Sequence, residues 1–399
     1  MSSHEPAIEK AAALMASFAE RTGLTSERPK RRYLWTDAFA VCNLVGLAHL
    51  TGERAHMDLA LRLVDQVHQV LGRYRADDTR SGWISGLDHA RGESHPTRGG
   101  LRIGKALLER RPDEPFDRGL EWERDGQYFH YLTKWMHALD QIAAATREPR
   151  FNVWARELAE AAHAAFVYRS RAHGGCRMVW KMSTDLSRPL VASMGQHDPL
   201  DGLITYTQLE TTAALLSRPF GEPASFKFAI ADFVAMTEAA DLRTEDPLGL
   251  GGLLGDAWRV AQLMARGAFA DGRLGGRLLA AAHEGLLQYS QHGDWREPAS
   301  RRLAFRELGL AIGLSGIERL RAKAGSDRED GCGPDEMRAR VQPLVAHGGL
   351  RASIVSFWLD AEHQRVRTWS EHRDINEVML ATALVPEGFL TLSSPDLRA

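Results

Sequence analysis

The 399-residue chain carries 50 Lys and Arg against 52 Asp and Glu, and this formal charge of −2 makes no electrostatic case for nucleic acid or an anionic membrane. There is no run of 18 apolar residues and no basic-then-apolar leader, so the expected setting is the cytoplasm, with no membrane span. Three scattered cysteines, Cys42, Cys176 and Cys332, form neither a disulfide framework nor a CxxC site.

Helical periodicity dominates from the start. Ala7 to Glu20 reads as an amphipathic helix. Leu34 to Leu50 is apolar nearly all round, which argues for burial on several sides. Met57 to Leu71, Gly126 to Ala145, Phe151 to Phe166, Leu200 to Leu216 and Ser225 to Ala240 follow. Gly255 to Arg266, Leu274 to Tyr289, Arg302 to Leu320 (with a break near Ser315–Gly316), Pro334 to Val345 and Asp374 to Leu384 complete about twelve helices. Strand signals are weak. Cys176 to Lys181 and Leu190 to Met194 read as a hairpin, and Ser353 to Leu359 fits strand or helix.

The gaps alternate in length. Those at Thr51–Arg54, Thr146–Pro149, Ser217–Glu222 and Gly267–Gly272 are tiny, whereas 75–125 and 169–200 are long and rich in Gly, Trp, His, Arg and Asp. Helices starting near 34, 126, 200, 255, 302 and 374 are apolar on most faces, and the intervening ones carry a polar face. Six inner helices wrapped by six outer ones account for both classes. The unequal spacing of the starts argues against a solenoid of uniform repeats. No linker interrupts 5–390, which reads as one domain with tails at 1–4 and 391–399.

Tyr33 to Asp37 opening an inner helix, the Thr51–Gly52–Glu53 turn and Gly-Leu-hydrophobic helix starts give the chain its family likeness. It resembles the six-hairpin (α/α)6-toroid superfamily of glycoside hydrolases, unsaturated glucuronyl hydrolases and N-acylglucosamine 2-epimerase-like enzymes. The resemblance implies an all-α (α/α)6 toroid with parallel inner helices whose N-termini share the long-loop end. It carries no catalytic signature.

Acidic residues recur at those inner-helix starts: Asp37, Glu123, Asp125, Asp198, Asp201, Asp256 and Asp374. Asp and Glu also occur there simply as helix caps. If instead they ring one cavity mouth, a pair can act as general acid and base on a glycosidic bond. Asp201 is the first choice and Asp88 the next. The dipole of its helix favours an ionised Asp201, suited to a base or nucleophile. The general acid then needs a drier site, at Asp88 or Glu123 near a loop tryptophan. Gly86 to Glu93, with Asp88, His89 and the preceding Trp83, reads as a ligand loop, and His197, Asp198 and Asp201 enter an inner helix. Gln127, His130, Lys134, His137 and Gln141 make one polar stripe by their 3-4-3-4 spacing. On an inner helix that stripe faces a cavity, where His130 and His137 can move protons.

Trp35, Trp258 and Tyr206, with the loop tryptophans, suit the apolar faces of sugar rings, and Arg259 and His372 offer polar contacts. GxGxxG, Walker, HExxH, GxSxG and DDxxD signatures are absent, so no cofactor or metal is expected. Three readings compete. One is a glycoside hydrolase-like enzyme acting through paired carboxylates on a sugar or uronic acid. The second is a sugar epimerase or isomerase drawing on His89, His130, His137, His197 and His372. The third is a silent toroid that binds a ligand or protein.

Overall fold

The computed structural model describes residues 5–170, 174–216, 225–292, 294–326 and 335–393. The expected gap at Ser217–Glu222, a helix start at Pro334, and Cys332 lie outside them. The chain is mostly helical, as expected. In order the helices are α1 (Glu5–Arg21), α2 (Leu34–Thr51), α3 (Arg54–Leu71), α4 (His89–Ser94), α5 (Arg118–Glu123), α6 (Phe129–Thr146), α7 (Pro149–Phe166), α8 (Asp198–Leu216) and α9 (Lys227–Glu238). Then come α10 (Pro247–Ala265), α11 (Arg273–His292), α12 (Ala304–Ser326), α13 (Asp335–Val345), α14 (Gly348–Leu359), α15 (Arg367–Ser370), α16 (Arg373–Leu384) and α17 (Glu387–Leu390). Short strands are β1 (Gln127–Tyr128), β2 (Val167–Ser170), β3 (Gly175–Met178), β4 (Lys181–Met182) and β5 (Pro189–Val191). Among the described residues no helix is long and apolar enough to cross a membrane.

Two compact units result. One comprises Met1–Phe18, Gly46–Gly52 and Asp241–Leu392, the other Ala19–Val45, Glu53–Ala240 and Ser393–Ala399. The division falls inside α1 and α2, not at a linker.

Within the second unit, α6 and α7 form an antiparallel pair. Phe129 meets Phe166 at one end and Asn152 donates to Asp140 at the other. α8 runs back along α7, with Tyr206 Oη donating to the carbonyl of Ala159 and Asn152 donating to that of Leu209. α9 returns along α8, where Gly202 faces the Phe233 ring and Glu210 accepts from the Phe226 N–H. Two reversals leave α6 and α8 parallel. Both are buried along most of their length, whereas α7 and α9 keep exposed faces. β2 and β3 make one hairpin, and β1, β4 and β5 a three-stranded sheet.

The other unit repeats the parallel arrangement. A Cβ at Gly251 of α10 would lie 2.1 Å from the Gly309 carbonyl of α12, and one at Gly313 would lie 2.3 Å from the Gly251 carbonyl. Only glycine permits such backbone contact. Further along, Gly316 approaches Leu254 and Trp258, so α10 and α12 run in the same direction. α16 joins them in parallel: Asn376 accepts from Phe305 N–H, and Met379 lies beside Gly309.

Several boundaries differ from the periodicity reading. α10 begins at Pro247, about two turns before Gly255, because Asp246 accepts from the Gly249 N–H and Pro247 occupies the first turn. Asp256 is therefore an interior residue of α10, not one at its start. α12 runs unbroken through Ser315–Gly316, whose missing side chain makes room for α10. Cys176 to Met178 pairs with β2, at the end of the preceding helix, and β4 pairs with β5 around the Asp185 turn. Ser353–Leu359 is helical, in α14.

His68 of α3 ties the second unit's core together. It is 3% exposed, accepts a 3.2 Å hydrogen bond from Trp135 Nε1, and meets Trp135 and Trp154 edge-on. Burial lowers its pKa to about 3. The unfolded chain, with an ordinary histidine near 6.5, binds the extra proton between those values. Its contribution to stability is thus whole above the upper value and lost as pH falls through the window. Moving from pH 7 to pH 5 should cost ~2 kcal/mol through this residue alone. Urea unfolding of the wild type and His68→Gln at both pH values checks this: the variant should lose correspondingly less, and equal losses would remove His68 from the account.

Candidate functional site

The site is built where β1 hands over to α6. Gln127 and Tyr128 pair with Met182 and Lys181, so α6 starts at Phe129, later than Gly126. Gln127 consequently leaves the expected helical stripe. Its amide instead holds loop backbone, donating to the carbonyls of Gly99 and Thr184 and accepting from Leu101 N–H.

His130, Lys134 and His137 face α8, whereas Gln141 accepts from the Ser393 N–H. His130 Nδ1 lies 3.6 Å from Asp198 Oδ1, and Lys134 Nζ lies 2.7 Å from Asp201 Oδ1. His137 Nδ1 is 3.0 Å from Gln208 Oε1. Gln208 then donates to Asp140, which also accepts from Asn152 and Thr212. Exposure falls along this ladder. The His130 side chain is 34% exposed and His137 is 1% exposed, so His130 is the imidazole that a solute can reach. Its Nε2 has no protein partner among the described residues. Asp198 is buried, and its Oδ2 has no hydrogen-bond partner among the described residues.

Aromatic rings wall the mouth of the ladder. His130 stacks on Tyr128 at 5.6 Å and 11°, and Trp180 lies 5.0 Å from Tyr128 and 5.2 Å from Trp122. Tyr131 is edge-on to His130, and its hydroxyl is 2.7 Å from that of Tyr33. Lys105 Nζ stands over the Tyr33 ring at 5.7 Å. Burial raises Tyr33, Tyr128 and Tyr131 above the ordinary phenol range, so all three are O–H donors at neutral pH. Lys181 is fully buried under Tyr128, donates to the carbonyls of Glu121 and Arg124, and forms a 2.8 Å ion pair with the Glu121 carboxylate. Desolvation lowers its pKa, and Glu121 opposes that shift.

The other expected residues fall elsewhere. Asp37 is buried against Arg32 at 3.4 Å and accepts from Tyr33 N–H, so it caps the turn that starts α2. Trp35 packs on Phe39. Asp125 is buried, paired with Arg102 and accepting from Gly104 N–H, and it shapes the loop that carries Lys105. Glu123 is exposed at the end of α5. Asp88 is exposed and caps its own short helix, accepting from Arg91 N–H, and His89 beside it faces Glu93. Trp83 is buried under Gly92 of α4 and lines a separate cavity of about 660 Å3 with His68, Glu93, Arg150 and Trp154. Tyr206 is a core residue between Phe226 and Phe233. His197 is half-buried just before α8. In the other unit, Asp256 and Arg259 form a buried 3.1 Å pair, Trp258 is half-buried with an unpartnered Nε1, and His372 is exposed against Phe305.

The structure thus brings together His130, Lys134, Asp198 and Asp201. It adds Tyr33, Lys105, Tyr128 and Tyr131, which were not expected in the site, and of the loop tryptophans it brings Trp180 there. No protein-family model matches the chain, and no curated protein is detectably similar to it in sequence.

The ladder predicts a stability effect separable from chemistry. Asp140→Ala strips the acceptor from three buried side-chain donors and should destabilise the fold by about 3 kcal/mol or more. Asp140→Asn keeps one acceptor oxygen and should cost less. Chemical denaturation checks the order, and a loss within ~0.5 kcal/mol for the alanine variant, the range of ordinary surface changes, would contradict it.

Proposed function

We propose that this protein is an intracellular enzyme acting on a free sugar by proton transfer at carbon, as an epimerase or isomerase does, with His130 as the acid/base group. The observation that carries the reading is the His130–Asp198 contact at 3.6 Å beneath the Tyr128–Trp180 aromatic wall. When substrate binding closes this contact, Asp198 would accept from Nδ1–H and orient the ring, leaving Nε2 to take a proton. Catalytic hydrogen bonds are commonly longer without substrate and tighten on binding. In the step envisaged, Nε2 removes the proton on the carbon next to the substrate's carbonyl, the C–H electron pair becomes a C=C bond, and the carbonyl π pair moves onto its oxygen to give an enediolate. Return of a proton to that carbon completes the exchange. His197, adjacent to Asp198, is the second imidazole at this end. The aromatic wall suits the apolar face of a sugar ring. The alternation of buried and half-exposed helices, with buried helices parallel inside each unit, supports the further proposal of an (α/α)6 toroid of the six-hairpin kind.

The glycosidase-like reading keeps one specific support, the pair Asp198 and Asp201 one turn apart at the start of α8, with Asp198 Oδ2 unpartnered. Asp201 is engaged by Lys134, and Asp37, Asp88 and Asp125 are committed to caps and ion pairs, which leaves few carboxylates for a hydrolytic pair.

Incubating the enzyme with a panel of reducing sugars in D2O and following loss of the C2 proton by NMR separates these readings. Exchange should occur with the wild type and fall by ~100-fold or more in His130→Gln, the typical contribution of a general acid–base group. Asp201→Asn should retain much of it. Bond cleavage of glycosides that survives His130→Gln and is lost in Asp201→Asn would replace this proposal with the hydrolase. Binding without either reaction would leave the silent toroid.

A further inference from the structure

Lys105 is a cation held in place without an ion-pair partner among the described residues. Its backbone is clamped: Arg75 Nη1 donates to its carbonyl at 2.6 Å, and the preceding Gly104 donates its N–H to Asp125. Gly104 has φ of 93°, and a Cβ there would lie 2.2 Å from the Arg32 carbonyl, so this loop admits only glycine at that point. Beyond the clamp the side chain extends over the Tyr33 ring. No carboxylate lies within ion-pair distance of Nζ among the described residues. Asp125 is occupied by Arg102, and Glu123 acts only from a distance. Partial burial lowers the Lys105 pKa.

The neighbours are also donors. The Tyr33 and Tyr131 hydroxyls share one hydrogen bond at 2.7 Å, so one of their two O–H protons is left to donate elsewhere. Tyr128 Oη is buried with no hydrogen-bond partner among the described residues. An ammonium over the Tyr33 ring, the Tyr33–Tyr131 hydroxyl pair and the Tyr128 hydroxyl thus belong to one cluster of rings, two of which pack on His130.

We propose that this donor cluster binds a carboxylate of the substrate, which makes the ligand an acidic sugar, with Lys105 as its specificity-determining contact. A carboxylate fits better than a phosphate, because a single lysine with Glu123 and Asp125 nearby leaves a dianion under-compensated. The inference rests on the proposed sugar site, but it is tested by binding alone.

Affinities of the full-length protein for matched pairs, glucose with glucuronate, galactose with galacturonate and mannose with mannuronate, are measured by titration calorimetry, together with the three hexose 6-phosphates. At least one uronate should bind tenfold or more tighter than its neutral partner and tighter than its phosphate. Lys105→Met should abolish that preference by weakening the uronate far more than the neutral sugar, with the thermal midpoint reporting that the fold is kept. Lys105→Arg should keep part of it. Equal binding within every pair, a preference surviving Lys105→Met, a preference for the phosphates, or no binding by any of them would each overturn the inference. Lys105-dependent uronate binding without proton exchange would instead sink the proposed reaction and leave this contact standing. Exchange on neutral sugars with no uronate preference would do the reverse.

Discussion

The second unit depends on the register between two buried parallel helices. Residues 130, 134, 137 and 140 of α6 meet 198, 201, 208 and 212 of α8, in the same order along both. Apolar packing alone does not choose such a register, since a slide of one turn still buries Leu against Leu. Polar groups out of water do choose it, because each must find its own partner or cost about 1–3 kcal/mol. The ladder therefore fixes which residues of α8 stand opposite the exposed end of α6. The contact between His130 and Asp198 is its last rung.

That rung gains its chemical interest from its surroundings. Deeper rungs are dry and fully engaged, so His137 and Asp140 serve as structure. At the top, the imidazole is one-third exposed and backed by a carboxylate, and tyrosine and tryptophan rings from β1, α6 and the stretch before β4 surround it. Tyr33 reaches Tyr131 at this place, and Lys105 stands over the Tyr33 ring, both from loops held by Arg75, Asp125 and Asp37. Several acidic residues that read as catalytic from their position in the chain are instead the supports on which these loops rest.

Much of this was readable from the chain. The 4-3-4 spacing of His130, Lys134, His137 and Gln141 marked a polar stripe of α6, three of whose residues meet α8, and the apolar character of the segments at 34, 126 and 200 marked the buried helices. Caps and catalytic acids look alike at a helix start, so Asp37, Asp88 and Asp201 could be separated only by seeing Arg32, the Arg91 N–H and Lys134 beside them. Lys105 carried no signal, because its meaning lies in what is missing around it. The start of α10 was obscured because glycines placed for backbone contact with α12 resemble a turn. Gln127 fitted the stripe by spacing but was claimed by strand pairing with Met182.

The central claim, that Asp198 orients His130 so that Nε2 is the reactive nitrogen, is tested most directly by the tautomer of the neutral imidazole. Nitrogen-15 NMR of histidine-labelled protein, with the His130 signals assigned through His130→Gln, reports which ring nitrogen carries the proton. The account predicts the Nδ1–H form in the wild type and its loss as the dominant form in Asp198→Ala. An Nε2–H tautomer in the wild type, or one indifferent to Asp198→Ala, would contradict it.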